Sequence, residues 1–361
     1  MLLCIFVHTI FVRFNMIMQP ITTLANYFRP GLLPLIALMS FVFASSDLVV
    51  CHAEGTRGPL SNSIIEGKEG WLFFEPERRF VSFPCFWGAV APQTSRSPKP
   101  ETADPIPAIV NFHKQLAQEG IKLVLVPVPP KIWKSAHAPE YPLEGIASDS
   151  LSGFYKELIA NGIHLVDLRP DFEERETAGE QMYCKTDTHW SGSGCVVAAV
   201  AVAKALLDSG IEPSVSPLKA EWTEAHFRGD LLALKDDASV PDELLKVRRI
   251  STVDDTALQP NPSSPILIIG DSHTLVFHDF LGDRAGLPDQ VAKETGIIPD
   301  WIGTRGSGAN AVRISLLRRV TKDPAYLASK KVVVWCFASR DFTESEQGWQ
   351  QLPLRIPPKN P

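Results

Sequence analysis

Short, nearly continuous apolar runs alternate along this chain with segments whose apolar residues recur every three or four positions. From Pro107, Ile109, Phe112 and Leu116 fall on one helical face until Gly120 ends the helix, and residues 121–128 (IKLVLVPV) then read as a buried strand. The unit repeats. Residues 151–160 are helical, Asn161-Gly162 breaks them, and 163–168 (IHLVDL) form the next strand. Residues 193–207 make a helix of small residues, capped by Ser191 or Ser193. Residues 265–270 (PILIIG) are a strand, 311–320 a helix and 331–338 (KVVVWCFA) a final strand. Near the start, 66–74 (EGKEGWLFF) reads as a turn at Gly70 and a short strand, and the Pro- and Ser-rich stretch 88–107 as a long loop. Strands alternating with helices predict a parallel sheet covered on both faces, with reactive groups gathered at the carboxyl ends of the strands.

The first 53 residues follow another pattern. Arg13 and Arg29 are their only strong bases and Asp47 their only acid; an apolar run at 31–43 (GLLPLIALMSFVF) follows Arg29, and small residues follow at 44–46 and 51–53. This order predicts a secretory signal peptide, or an N-terminal membrane anchor if the apolar run extends to Val50; the two readings stay open. The functional domain is then 54–361, placed in the periplasm or otherwise outside the cytoplasm.

Composition narrows the class. The chain has 361 residues, 45% of them apolar, and a formal charge of −6, enough for one large core. No basic cluster is denser than 246–249 (KVRR), which argues against nucleic acid as a partner. Cys85, Cys184, Cys195 and Cys336 lie inside the mature part. An exported location permits disulfides, but the spacing selects no pairing, and buried thiols account for these residues equally well.

Two motifs carry chemistry. In 266–274 (ILIIGDSHT), Ser272 follows a buried strand, with Gly270 allowing a tight turn that exposes its hydroxyl. A serine hydroxyl is a weak nucleophile and needs an adjacent base. In 183–194 (YCKTDTHWSGSG), Asp187 and His189 stand two residues apart on an extended segment, so the carboxylate reaches the ring and fixes its tautomer while the other nitrogen faces the serine. The plainer readings are a turn serine, a capping aspartate and a packed histidine. Cys184, Asp187 and His189 are also possible metal ligands, but no HExxH or CxxC pattern accompanies them, and neither a metal nor a cofactor is expected. His273, beside Ser272, is a poor competitor as the base.

Taken together, GKEGWLFF, TDTHWSGSG, GDSHT and the closing KVVVWCFASRDFTES resemble the SGNH-hydrolase-like domain of the alginate O-acetyltransferases AlgJ and AlgX, over roughly residues 66–353. The order is distinctive: the Asp/His pair precedes the GDS serine, whereas ordinary SGNH hydrolases place the serine first. The resemblance implies a flavodoxin-like, three-layer α/β/α fold with a mostly parallel sheet. It implies that Ser272 carries an acetyl group to a polysaccharide hydroxyl, with His189 as base and then acid and Asp187 orienting it. It also implies a membrane-bound O-acyltransferase as donor partner and contact with the inner membrane through the N-terminus. The Ser272 N–H is the first candidate oxyanion donor. Arg305 and Asn310, in GTRGSGAN, are further candidates, with a loop charge and a helix N-cap as their plain readings. The chain ends at Pro361 without room for the carbohydrate-binding module of AlgX, which favours the AlgJ architecture. Its SGSG after Trp190 departs from a TPxG-like continuation in the family. A carbohydrate esterase with the same triad, and a noncatalytic polysaccharide-export component, are the competing functions. Trp71, Trp87, Trp133, Trp190 and Trp301 are either sugar platforms or core residues.

Overall fold

The computed structural model describes residues 63–139, 146–306 and 308–354, with the backbone alone for 146–149. The N-terminal segment and its signal or anchor reading lie outside the described residues. Among the described residues no helix is long and apolar enough to cross a membrane.

A short antiparallel pair opens the described chain: β1 (Ile64–Glu66) and β2 (Leu72–Phe74), followed by α1 (Glu75–Val81). The stretch expected as a loop holds α2 (Ala91–Thr94) between two 3-10 turns, with Thr94, Ser95, Ser97 and Ala103 buried. Pro92 and Pro100 stand in the first turn of α2 and of the second 3-10 turn, where a missing N–H costs nothing. The next helix, α3 (Pro105–Gln118), begins at Pro105 rather than Pro107, because the Asp104 side chain accepts the Ile106 N–H (3.1 Å) as an N-cap. Gly120, at φ +72°, ends it.

The expected α/β pattern then follows: β3 (Lys122–Val128), α4 (Ile146–Ala160), β4 (His164–Leu165), α5 (Arg169–Thr177) and α6 (Gly192–Asp208). A long hairpin of β5 (Lys219–Phe227) and β6 (Glu243–Ser251) encloses α7 (Asp230–Lys235). Last come β7 (Ile266–Gly270), α8 (Ser272–Leu275), α9 (Leu287–Thr295), β8 (Asp300–Gly303), α10 (Gly308–Lys322), β9 (Val332–Ala338) and α11 (Asp341–Glu344).

The central sheet is wholly parallel, in the order β4-β3-β9-β7-β8. Its period of two divides the core. Val124, Val126, Ile266, Ile268, Val332 and Val334 join the α6 and α9 side, whereas Leu123, Leu125, Leu267, Ile269, Val333 and Trp335 join the α3, α4 and α10 side. Continuous apolar strands are therefore required here, since both faces are covered, and the architecture is the expected three-layer α/β/α arrangement. β4 is shorter than the six residues expected because it is an edge strand, giving way at once to α5.

The hairpin, α5, α9 and β8 were not foreseen from the apolar pattern. Most of β5 (KAEWTEAHF) is exposed, Trp222 included, and only Phe227 at its end is buried, so no apolar face announces it. Cys184, Cys195 and Cys336 are buried thiols in this fold, so the thiol reading of these residues applies.

Candidate active site

The carboxyl edge of the sheet brings Ser272, beyond β7, to the loop that carries Asp187 and His189. Gly270 is needed there for a reason other than the one expected. It has no left-handed backbone; instead, a Cβ would stand 2.0 Å from Thr274 Oγ1 and 2.2 Å from the Cys336 carbonyl oxygen. The strand end passes too close to its neighbours for any side chain. Gly270→Ala is expected to destabilise the fold by about 3 kcal/mol, the upper part of the overpacking range, readable as a lowered urea midpoint at unchanged slope.

Asp271 accepts the His273 N–H (2.9 Å) and the Ala338 N–H (2.8 Å), so one carboxylate caps α8 and ties it to the end of β9. Burial opposes its charge, but His273, the Ala338 N–H and Arg340 hold it at about 2. Ser272 is the first residue of α8 and the one partly exposed position of the four. Its N–H has no acceptor among the described residues, as expected at a helix start.

The Asp187–His189 pair is locally built. The loop closes on itself through Cys184 N–H to His189 O (3.0 Å) and Ser191 N–H to Met182 O (2.8 Å), and the Ser191 hydroxyl caps α6 by accepting the Gly194 N–H (3.1 Å). The SGSG continuation has a steric cause. A Cβ at Gly192 would stand 2.2 Å from Lys246 O, and one at Gly194 2.2 Å from Met182 O. In this loop His189 Nδ1 lies 2.6 Å from Asp187 Oδ1, and His189 Nε2 lies 2.7 Å from Ser272 Oγ. The structure thus brings together the three residues named from sequence.

Asp187 is fully buried and satisfied: Oδ1 also accepts the His189 N–H (2.9 Å), and Oδ2 accepts the Asp230 N–H (2.7 Å). Burial opposes its ionisation, but the His189 charge and these hydrogen bonds hold the carboxyl down at about 2. Burial likewise opposes the imidazolium, and Asp187, Asp230 and Asp271 outweigh it, so the His189 pKa is raised.

Asp230, which no sequence motif marked, is the added member of the site. Its carboxylate accepts the Thr188 N–H (2.8 Å) and hydroxyl (2.5 Å), and Oδ2 lies 3.9 Å from His189 Nδ1. Asp187, His189 and Asp230 each offer an atom within 4.8 Å of the others, the nearest approach to a metal-ligand group among the described residues. Cys184 is not part of it, since its thiol donates to Trp190 O (3.2 Å). Both Asp187 oxygens point at N–H groups, which is the arrangement of an imidazole-orienting carboxylate rather than of a ligand set.

His273 is buried, its ring 4.6 Å from that of His189 and 5.4 Å from that of Trp190. Burial, with the His189 charge, pulls it down to about 4 despite Asp271. It is a neutral packing wall.

The two lesser candidates stand elsewhere. Arg305 pairs with Asp279 (2.6 Å) and lies over the Phe280 ring, which in turn is 5.8 Å from the His189 ring. Asn310 is not an N-cap but the third residue of α10; its amide donates to Ser345 Oγ (3.0 Å) and its carbonyl accepts from Arg313. The Ser272 hydroxyl is bonded to His189, and the hydrogen bonds of Arg305 and Asn310 described above go to Asp279, Ser345 and Arg313. Of the tryptophans, Trp190 and Trp301 are core. Trp71 and Trp133 line a groove of about 600 Å³, together with Arg169, Tyr183 and Lys185, but none of Asp187, His189 and Ser272 lines it.

Comparison with known proteins places the chain in a lineage. The profile described as the SGNH hydrolase-like domain of the acetyltransferase AlgX matches residues 64–295. A probable alginate O-acetylase AlgJ of Pseudomonas fluorescens is 29% identical over 179 residues, 46% of this chain and 45% of that protein. That of Pseudomonas putida KT2440 is 25% identical over 324 residues, covering 85% and 76%. The chain thus spans less than half the length of the first relative and about three quarters of the second. Among solved structures, the O-acetyltransferase domain of Pseudomonas putida AlgJ shares the fold with a TM-score of 0.59 at 22% identity, over 79% of this chain and 93% of that one. Pseudomonas aeruginosa AlgX does so with a TM-score of 0.57 at 19% identity, over 80% and 63%. The fold is therefore SGNH-hydrolase-like, and the chain belongs to the AlgJ/AlgX family of SGNH hydrolase-like acetyltransferase domains.

Proposed function

We propose that this chain is a serine-type O-acetyltransferase that acetylates the hydroxyls of an exported polysaccharide through an acetyl-enzyme on Ser272. The observation that carries the reading is the continuous relay from Asp187 Oδ1 through His189 to Ser272 Oγ, with links of 2.6 and 2.7 Å. In the first half-reaction Ser272 Oγ attacks the donor's acetyl carbonyl and its proton passes to His189 Nε2. The oxyanion meets the unoccupied Ser272 N–H at the start of α8. Collapse breaks the bond to the donor oxygen, which leaves with the proton from His189. In the second half-reaction a sugar hydroxyl gives its proton to His189 and attacks the acetyl carbon, and collapse breaks the bond to Ser272 Oγ, which takes the proton back from His189 Nε2.

The relatives named alginate O-acetylase support a polysaccharide acceptor. The apolar N-terminal segment supports work outside the cytoplasm at the inner membrane, beside a membrane-bound O-acyltransferase that supplies the acetyl group. The test is to incubate the purified full-length chain with an activated acetyl ester, with and without oligosaccharide. Acetylated sugar is the expected product. Release of free acetate alone, at a rate unchanged by oligosaccharide, would move the assignment to an esterase. Because only neutral His189 accepts a proton and its pKa is raised, kcat/KM is expected to fall on the acid side with a midpoint above the ordinary histidine value of 6.5.

A further inference from the structure

The GKEGWLFF motif supplies no group to the acyl-transfer steps, yet it is bonded to the loop that carries them. The Leu72 N–H donates to the Lys185 carbonyl (3.0 Å), two residues before Asp187. Lys131, which follows β3 in VPVPPK, joins the two segments. It is 2% exposed, and its Nζ donates to the carbonyls of Leu72 (2.5 Å), Lys185 (3.0 Å) and Asp187 (3.0 Å). The Trp71 and Phe73 rings of the motif each lie 5.2 Å from Nζ.

A buried ammonium is costly unless its three N–H groups are satisfied, and here three carbonyls satisfy them. The groups facing it are Glu77 of α1, Cys184 and Asp187 of the catalytic loop and Glu243 of β6, and none of them forms an ion pair with it. The ammonium therefore acts on backbone, and one of its acceptors is the backbone of the carboxylate that orients His189.

We propose that Lys131 is a positioning residue for acyl transfer, whose ammonium fixes the Asp187 backbone and through it the alignment of His189 on Ser272. The inference rests on the triad reading. A displacement of about 1 Å at a reacting group costs about 100-fold in rate, so a clamp on this backbone is worth that much in kcat with little change in KM. The clamp needs the charged form, because a neutral amine has two N–H groups for three carbonyls. Burial pulls the Lys131 ammonium down to about 8, against the charges of Glu77, Asp187 and Glu243. The clamp is intact below that pH and loosens above it.

The experiment follows, with the full-length chain, the turnover of an activated acetyl ester and the rate at which a sulfonyl fluoride labels Ser272, from about pH 5 to about pH 10. The expected wild-type result is an alkaline fall in kcat and in labelling near pH 8, with the fold retained. Lys131→Met is expected to lower kcat about 100-fold and to lack the alkaline fall. Lys131→Arg, whose guanidinium stays charged, is expected to lack the alkaline fall and to recover part of the rate. A wild-type profile flat through pH 8, a fall that persists unchanged in Lys131→Arg, or wild-type kcat in Lys131→Met overturns the proposal. The wild-type profile decides even where the variants do not fold. Absence of Ser272 labelling at every pH would instead remove the triad reading itself, and the inference with it.

Discussion

Ser272→Ala is expected to lower acetyl turnover by about 10⁴-fold or more, with thermal stability close to that of the unchanged protein. In the proposed mechanism the serine hydroxyl is the only part of the relay that forms a bond to the acetyl carbon, and no neighbouring group replaces it. Asp271 is occupied by two N–H groups. His273 is buried, packed against Trp190 and neutral. Because Ser272 is only partly buried and caps nothing, its loss removes chemistry without opening a cavity. Turnover of an activated acetyl ester measures the effect, and mass spectrometry of the quenched enzyme should show an acetyl adduct on the unchanged chain and none on the variant. Retention of more than a tenth of the activity would assign the nucleophile elsewhere.

Asp187→Asn is expected to cost about 10⁴-fold in kcat, through the tautomer of His189. The carboxylate accepts on every side: Oδ1 from the His189 ring and main chain, Oδ2 from Asp230 N–H. An amide has one oxygen. Turned to keep the Asp230 bond, it aims its NH₂ at Nδ1, so that the ring must carry its hydrogen on Nε2, where it points at Ser272 and cannot accept a proton. Turned the other way, it leaves an N–H facing Asp230 N–H. Asp230→Asn is the informative contrast, because Asp230 serves Thr188 and stands 3.9 Å from Nδ1. Its effect is expected to be far smaller. Equal losses in the two variants would show that the orienting charge is shared between the carboxylates.

The site was legible where its parts are local. Ser272 after an apolar strand, and Asp187 two residues before His189, are patterns within a few positions, whereas the contact between His189 and Ser272, 83 positions apart, is made by the fold. The parts that were not legible are those whose partner lies far along the chain. Asp230 reaches Asp187 from beyond 40 positions away through a backbone N–H, a group every residue but proline carries, so no side-chain pattern announces it. Lys131 belongs to no motif of the sequence, and becomes a clamp only because three carbonyls from two other segments converge on it. Asn310 shows the converse: a residue that looks like a cap is inside its helix, because Ser345 and Arg313 hold it there.

The apolar rhythm of the chain determined the sheet. Strands buried on both faces have to be continuously apolar, and the order of motifs is written along the chain, which is enough to indicate the lineage. Tertiary structure alone decided the hairpin, in which β6 sets Leu245, Val247 and Ile250 into the core while most of β5 stays exposed, and the need for glycine at Gly270 and Gly192, which is a matter of backbone from distant segments passing at contact. It also decided the electrostatics of the base. A pKa depends on what surrounds a group in three dimensions, and both carboxylates that raise His189 from beyond its own loop, Asp230 and Asp271, are brought to it only by the closing of the fold.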